Sequence, residues 1–167
     1  MTFERADFCD IDRLVGMRLA YLAEDHGALD PADEARIRRD LPGYYRRHLN
    51  GDLTAFVARE GDELVGCALL LAVEKPMSPA FINGRTGTVL NVYTRPEYRD
   101  RGYARRLMEM LMEEAAAQDM SAVELKATDM GHGLYKALGF EDDHSGYHPM
   151  KWRRASRERP DDGASQD

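Results

Sequence analysis

Apolar positions along this chain alternate between helical and strand-like spacing. Residues 2–6 read as a short first strand. Behind Asp7 and Asp10, which offer N-cap oxygens, Ile11, Leu14, Val15, Leu19 and Leu22 recur at the 3.6-residue period of a helix. Gly27 breaks the following loop, and Pro31 suits the first turn of a second helix reaching Leu49, with an interruption expected before Pro42. Residues 53–59 are strand-like, and Gly61-Asp62 turns them into residues 64–73, a hairpin. Pro76 and Pro79 bound an irregular stretch. Residues 86–94 are rich in β-branched side chains and read as a central strand stopped by Pro96. Ala104, Leu107, Met108, Leu111 and Ala115 restore helical spacing across residues 102–118. A buried strand is predicted at residues 122–127, then a short helix at residues 133–138 ended by Gly139 as a C-cap. A last strand returns from Phe140, with Trp152 at its end. Strands interleaved with helices after an opening hairpin predict an α/β (α+β) fold around a mixed sheet.

The chain has 167 residues, which suits one domain whose folding buries about two-thirds of its surface without disulfide or metal staples. That domain is expected to span residues 1–152. Residues 153–167 hold Pro160, Gly163, Ala164 and Ser165 among charged groups, and read as a disordered tail. The longest apolar run, residues 67–73, is far short of the ~18 residues of a membrane span. A charged N-terminus without an apolar stretch argues against a leader, so a cytoplasmic location is expected. Cys9 and Cys67, the only two cysteines, exclude a disulfide scaffold and read as buried structural thiols. His144 and His148 lie four apart, but Gly146 between them argues for a turn, no third ligand is evident, and no metal is expected.

Charge changes the picture through its placement. The net charge of −7 is the wrong sign for a nucleic-acid binder. Yet residues 95–106 hold five arginines against Glu97 and Asp100, locally +3, whereas residues 7–34 hold eight carboxylates against Arg13 and Arg18, locally −6. A strand ending at Thr94, an arginine-rich turn, and a helix opening at Gly102 and Ala104 together make an anion site, because the first amides of a helix lack intrahelical acceptors. Small residues there let a diphosphate approach the backbone. No nucleotide P-loop and no G-x-G-x-x-G is present.

This segment resembles the acetyl-CoA motif of the GNAT superfamily of N-acetyltransferases, R/Q-x-x-G-x-G/A, supplied here by Arg99, Asp100, Arg101, Gly102, Tyr103 and Ala104. The family's second motif, of the type L-Y-x-x-L-G-F, is similar to Leu134-Tyr135-Lys136-Ala137-Leu138-Gly139-Phe140. The resemblance implies a mostly antiparallel central sheet splayed at its fourth and fifth strands and flanked by helices. It implies acetyl-CoA as co-substrate, lying in that splay, with main-chain groups of Val92, Tyr93 and Thr94 on the pantetheine arm. Amides from Asp100 to Arg105, Arg101 and Gly102 among them, would hold the pyrophosphate. Tyr135 would protonate the departing thiolate as general acid; the alternative role is a tyrosine packed under the cofactor with an orienting hydroxyl.

Two positions depart from the family pattern. Thr128 stands where many members carry an asparagine that contacts the pantetheine or caps the last helix, and keeps only a capping oxygen. Neither Thr88 nor Leu90 supplies the strand carboxylate that many members use as base, which leaves a water chain, His132, Asp129 or Glu24 as proton acceptors. The resemblance places the acceptor near the first two helices, where Tyr21, Glu24, Asp25 and His26 cluster, with Asn91 on the strand opposite. That cluster suits a cationic amine by charge, and equally suits a solvated acidic helix end. Arg18 falls on the apolar stripe seven residues after Ile11, reaching the cleft or snorkelling to solvent. The implied activity is direct acetyl transfer to a primary amine of a small molecule or peptide in a ternary complex. The rivals are a non-catalytic acyl-CoA-binding or regulatory module and, more distantly, a nucleotide-binding interaction domain. Homodimerisation is compatible with the chain but no feature demands it.

Overall fold

The computed structural model describes residues 1–152; the predicted tail lies outside the described residues. Five strands form one sheet in sequence order: β1 (Thr2–Arg5), β2 (Leu53–Glu60), β3 (Glu63–Glu74), β4 (Arg85–Thr94) and β5 (Ala122–Glu124). All neighbours are antiparallel except β4 and β5, which run parallel. Four helices flank it: α1 (Ile11–His26), α2 (Pro31–His48), α3 (Tyr103–Ala117) and α4 (Asp129–Ala137).

Strand β2 is buried on both faces because the sheet carries helices on both. Ala55 and Val57 join Leu14, Met17 and Tyr45 in a core under α1 and α2. Phe56 and Ala58 point the other way, into a core with Leu107, Met108 and Leu111 of α3. Before α1, Asp7 and Asp10 form a capping box around a 3-10 turn at Phe8–Asp10, with Cys9 N donating to Asp7 Oδ1 at 2.7 Å. Asp10 is buried and receives Arg59 Nη2 at 2.8 Å, while Arg59 Nε bonds Glu4 at 2.8 Å. Among the described residues no helix is long and apolar enough to cross a membrane.

Five expectations are corrected. Helix α2 runs through Pro42 without a break. Proline forfeits one backbone bond there, but Ile37, Leu41, Tyr44 and Tyr45 pack on both sides of it and hold the helix together. Strand β5 ends at Glu124 and is half-exposed rather than buried, for a reason that lies in β4. Helix α4 begins four residues early, because Thr128 caps it with Oγ1 on Gly131 N at 3.2 Å. No strand follows Phe140 among the described residues: Phe140 turns onto Tyr135, Asp142 is held by His132 and Lys136, and Trp152 is exposed. Cys9 is exposed, whereas Cys67 is buried; burial pushes the Cys67 thiol up to about 12.

Candidate active site

The site begins with a register fault. Leu69 pairs with Leu90 but Cys67 pairs with Tyr93, so two residues of β4, Asn91 and Val92, oppose Ala68 alone. This β-bulge places Asn91 at φ 51, a left-handed conformation that asparagine tolerates better than most residues. Bulging resets the alternation of faces. Leu90 and Tyr93 face the α1 core and Val92 faces the α3 core. It also turns β4 away from β5, which pairs only from Thr86 to Thr88, leaving that edge of β4 without a β5 partner from Val89 onward.

Beyond β4, Pro96–Tyr98 forms a 3-10 turn, and the chain reaches α3 through Asp100 at φ 59 and Gly102 at φ 78. Gly102 gives the helix no side-chain cap, and no acid occupies the first turn. The first helical bond is Arg106 N to Gly102 O, 3.0 Å, and among the described residues the amides of residues 100–105 have no protein acceptor. A Cβ on Gly102 would meet nothing within 4 Å, so it is the left-handed φ, not crowding, that calls for glycine in this turn. Neighbouring side chains fold off it. Arg101 donates to Glu97 O at 3.0 Å and lies 5.2 Å over the Tyr98 ring, while Tyr103 stacks on Tyr98 at 6.5 Å. Ala104 is small and half-buried, and Arg105 is exposed. Left-handed residues beside an uncapped helix start make an anion-binding concavity.

Arg99 takes a different direction from the rest of the turn. Its Nη2 donates to both oxygens of Glu24 at 2.6 Å, and its Nε to Thr94 O at 3.1 Å. The Thr94 hydroxyl is buried without a partner. Glu24 stands on one stripe of α1 with Tyr21 and Arg18, spaced by three residues. Tyr21 meets Tyr93 edge-on at 6.3 Å, and Arg18 lies 5.4 Å over the Tyr21 ring while donating to Asn91 Oδ1 at 3.1 Å. Burial, reinforced by Glu24, raises the Tyr93 phenol above its ordinary value. The predicted acceptor cluster is therefore divided: Glu24 is bound to Arg99, whereas Asp25 pairs with His26 at 3.2 Å at the exposed helix end.

Tyr135 comes from the opposite side, on α4. Its ring covers Gly131, where a Cβ would meet Cε2 at 3.0 Å, and meets Phe140 edge-on at 6.0 Å. Burial raises its phenol above the ordinary value, with Tyr21 pushing the same way. Of the proton acceptors suggested by sequence, His132 bonds Asp142 at 2.7 Å and Asp129 is exposed in the first turn of α4. A further carboxylate joins them: parallel register sets Glu124 beside Thr88, whose hydroxyl donates to it at 3.4 Å. Only strand pairing brings those two together, so local sequence carried no signal for it. Among the described residues, no group of three His, Cys, Asp or Glu gathers to hold a metal.

Residues 13–140 match the model of the acetyltransferase (GNAT) family. The chain is similar to the crystal structure of a predicted acetyltransferase with acetyl-CoA from Clostridium acetobutylicum, with 28% identity, TM-score 0.79, and coverage of 90% of this chain and 95% of that one. It also shares the fold of a GCN5-related N-acetyltransferase from Ralstonia eutropha JMP134, at 24% identity and TM-score 0.76, covering 89% and 97% of the two chains. A curated relative, N-acetyltransferase 8F1 of Rattus norvegicus, is 26% identical over 121 residues. That match takes in 70% of this chain, which spans about half (52%) of the relative's length.

Proposed function

The chain belongs to the acetyltransferase (GNAT) family, and from that premise we propose that it moves an acetyl group from acetyl-CoA to a primary amine of a small molecule or peptide. Transfer is direct, in a ternary complex. The observation that carries this reading is the uncapped turn: among the described residues the amides of residues 100–105 have no protein acceptor, and the turn follows directly on the stretch of β4 that β5 does not pair. The donor set fits a diphosphate, since amides at a helix start favour anions and no carboxylate sits in the first turn to compete. Val92, Tyr93 and Thr94 belong to the stretch of β4 that β5 does not pair, and main-chain groups there would receive an extended amide-bearing arm as a further strand would be received. Thr128 serves this cleft indirectly, by capping the helix that carries Tyr135.

In the reaction the amine nitrogen forms a bond to the acetyl carbon as the carbon–sulfur bond breaks. Tyr135 gives its proton to the sulfur and regains one from solvent; its raised pKa keeps that proton in place at neutral pH. The ammonium proton of the acceptor leaves to water in the open cleft. Cys67 is not a nucleophile in this scheme, because burial holds it as the neutral thiol. The test is release of free CoA thiol from acetyl-CoA on adding members of an amine panel. Amine-dependent release with one acetylated product per thiol supports the reading. Acetyl-CoA that binds without amine-dependent release contradicts it and leaves a non-catalytic binding module.

A further inference from the structure

Among the described residues, Arg18, Arg59, Arg95 and Arg99 are the arginines that are half-buried. Three of them face carboxylates: Arg59 meets Glu4 and Asp10 at 2.8 Å, Arg95 meets Glu63 at 3.4 Å, and Arg99 meets Glu24 at 2.6 Å. Arg18 has no carboxylate within 4.0 Å among the described residues. Its hydrogen bond goes to the neutral amide oxygen of Asn91, 3.1 Å away. A guanidinium carries five N–H donors in a planar fork, and withdrawing one from water without a counter-charge is unfavourable.

The position of this cation is held from below. Asn91 Nδ2 donates to Cys67 Sγ at 3.2 Å, and the Cys67 thiol donates to Asn91 O at 3.4 Å. With its NH₂ end bound to Cys67, the Asn91 amide presents Oδ1 to Arg18. The Tyr21 ring supports the guanidinium from its own helix, 5.4 Å away. Asn91 is the bulge residue, on the stretch of β4 that β5 does not pair, and Tyr21 is the residue whose phenol acts on Tyr135. The nearest acid on the same stripe, Glu24, is already bound to Arg99 and leaves the charge on Arg18 uncompensated.

We propose that Arg18 binds a carboxylate of the acceptor, so that the substrate is an amine that also carries a carboxylate, an amino acid or a short peptide with a free C-terminus. This rests on the acetyl-transfer reading for the amine and on the Arg18–Asn91–Cys67 arrangement for the acid. It reverses the charge preference expected from the acidic helix end. Guanidinium and carboxylate form parallel charge-assisted bonds, and losing them is expected to cost about tenfold or more in affinity.

The test uses matched pairs: glycine, β-alanine, 4-aminobutyrate and triglycine, each beside its carboxamide. Thiol release from acetyl-CoA gives kcat and KM, and calorimetry gives binding of the same compounds with and without CoA. The acids are expected to outcompete the amides by about tenfold or more in kcat/KM, mostly through KM. Arg18→Met brings the acid-to-amide ratio of kcat/KM close to one, and Arg18→Lys restores part of that ratio. The acid that shows the largest preference reports the span between amine and carboxylate sites, and separates free amino acids from peptides. Acids and amides that bind equally to the wild type, or a preference that survives in a folded Arg18→Met variant, overturn the proposal. Arginine-dependent acid binding without thiol release leaves the anion site standing and removes the acetyl-transfer reading. Transfer with no carboxylate preference does the opposite.

Discussion

Tyr135 carries a phenol half-buried against Gly131 and Phe140, with no hydrogen-bond partner among the described residues. Removing that oxygen breaks no bond inside the protein, so Tyr135→Phe is expected to change stability by less than about 0.5 kcal/mol. Activity responds differently. Loss of a positioned general acid lowers kcat about 10²-fold or more, with little change in the KM for acetyl-CoA. The pH dependence follows from the sign of the shift. Protonated tyrosine is the working form, and burial raises its pKa above the ordinary 10.0, so this residue produces no alkaline fall in kcat below pH 10. Steady-state kinetics of both proteins across pH checks this. An alkaline limb centred well below 10 in the wild type and absent in the phenylalanine variant contradicts the assignment.

At the scale of elements, the fold depends on pairings that fix strand ends. Arg59 of β2 joins Glu4 of β1 to Asp10, whose carboxylate is only 4% exposed. Arg59→Met strands that carboxylate, with Arg13 at 3.6 Å as its remaining counter-charge. Unfolding free energy is expected to fall by about 2–4 kcal/mol, read in urea as a lower midpoint at unchanged slope. An unchanged midpoint contradicts the structural role. The same dependence on pairing explains what could be read from the sequence. The arginine-rich turn, Gly102 and the periodic face of α3 are local features, and they locate the seam between β4 and α3 without any partner. The bulge at Asn91 exists only relative to Ala68 on β3, and nothing in residues 86–94 announces it. Because that bulge turns β4 away from its parallel neighbour, the strand-like stretch at residues 122–127 forms only three residues of β5. Likewise Leu41-Pro42 reads locally as a break, and the helix survives through contacts made on α1.

Across the whole molecule, the two helical layers do separate jobs, with the sheet between them. Helix α3, packed on one face, opens without a side-chain cap just after β4. Helix α1, on the other face, brings Arg18, Tyr21 and Glu24 against Asn91, Tyr93 and Arg99. The Glu24–Arg99 pair joins these layers across 75 residues of chain, a contact invisible in sequence, where both residues read as members of separate charge clusters. Pairing with Glu24 engages the Arg99 guanidinium, so in the proposed reading the diphosphate falls to the backbone amides of residues 100–105. Calorimetric titration of acetyl-CoA against S-acetylpantetheine, which lacks the diphosphate, tests that central claim most directly. If the amides of residues 100–105 hold the diphosphate, acetyl-CoA binds about a hundredfold or more tighter than S-acetylpantetheine. Equal affinities, or no heat from acetyl-CoA at millimolar concentration, contradict the account.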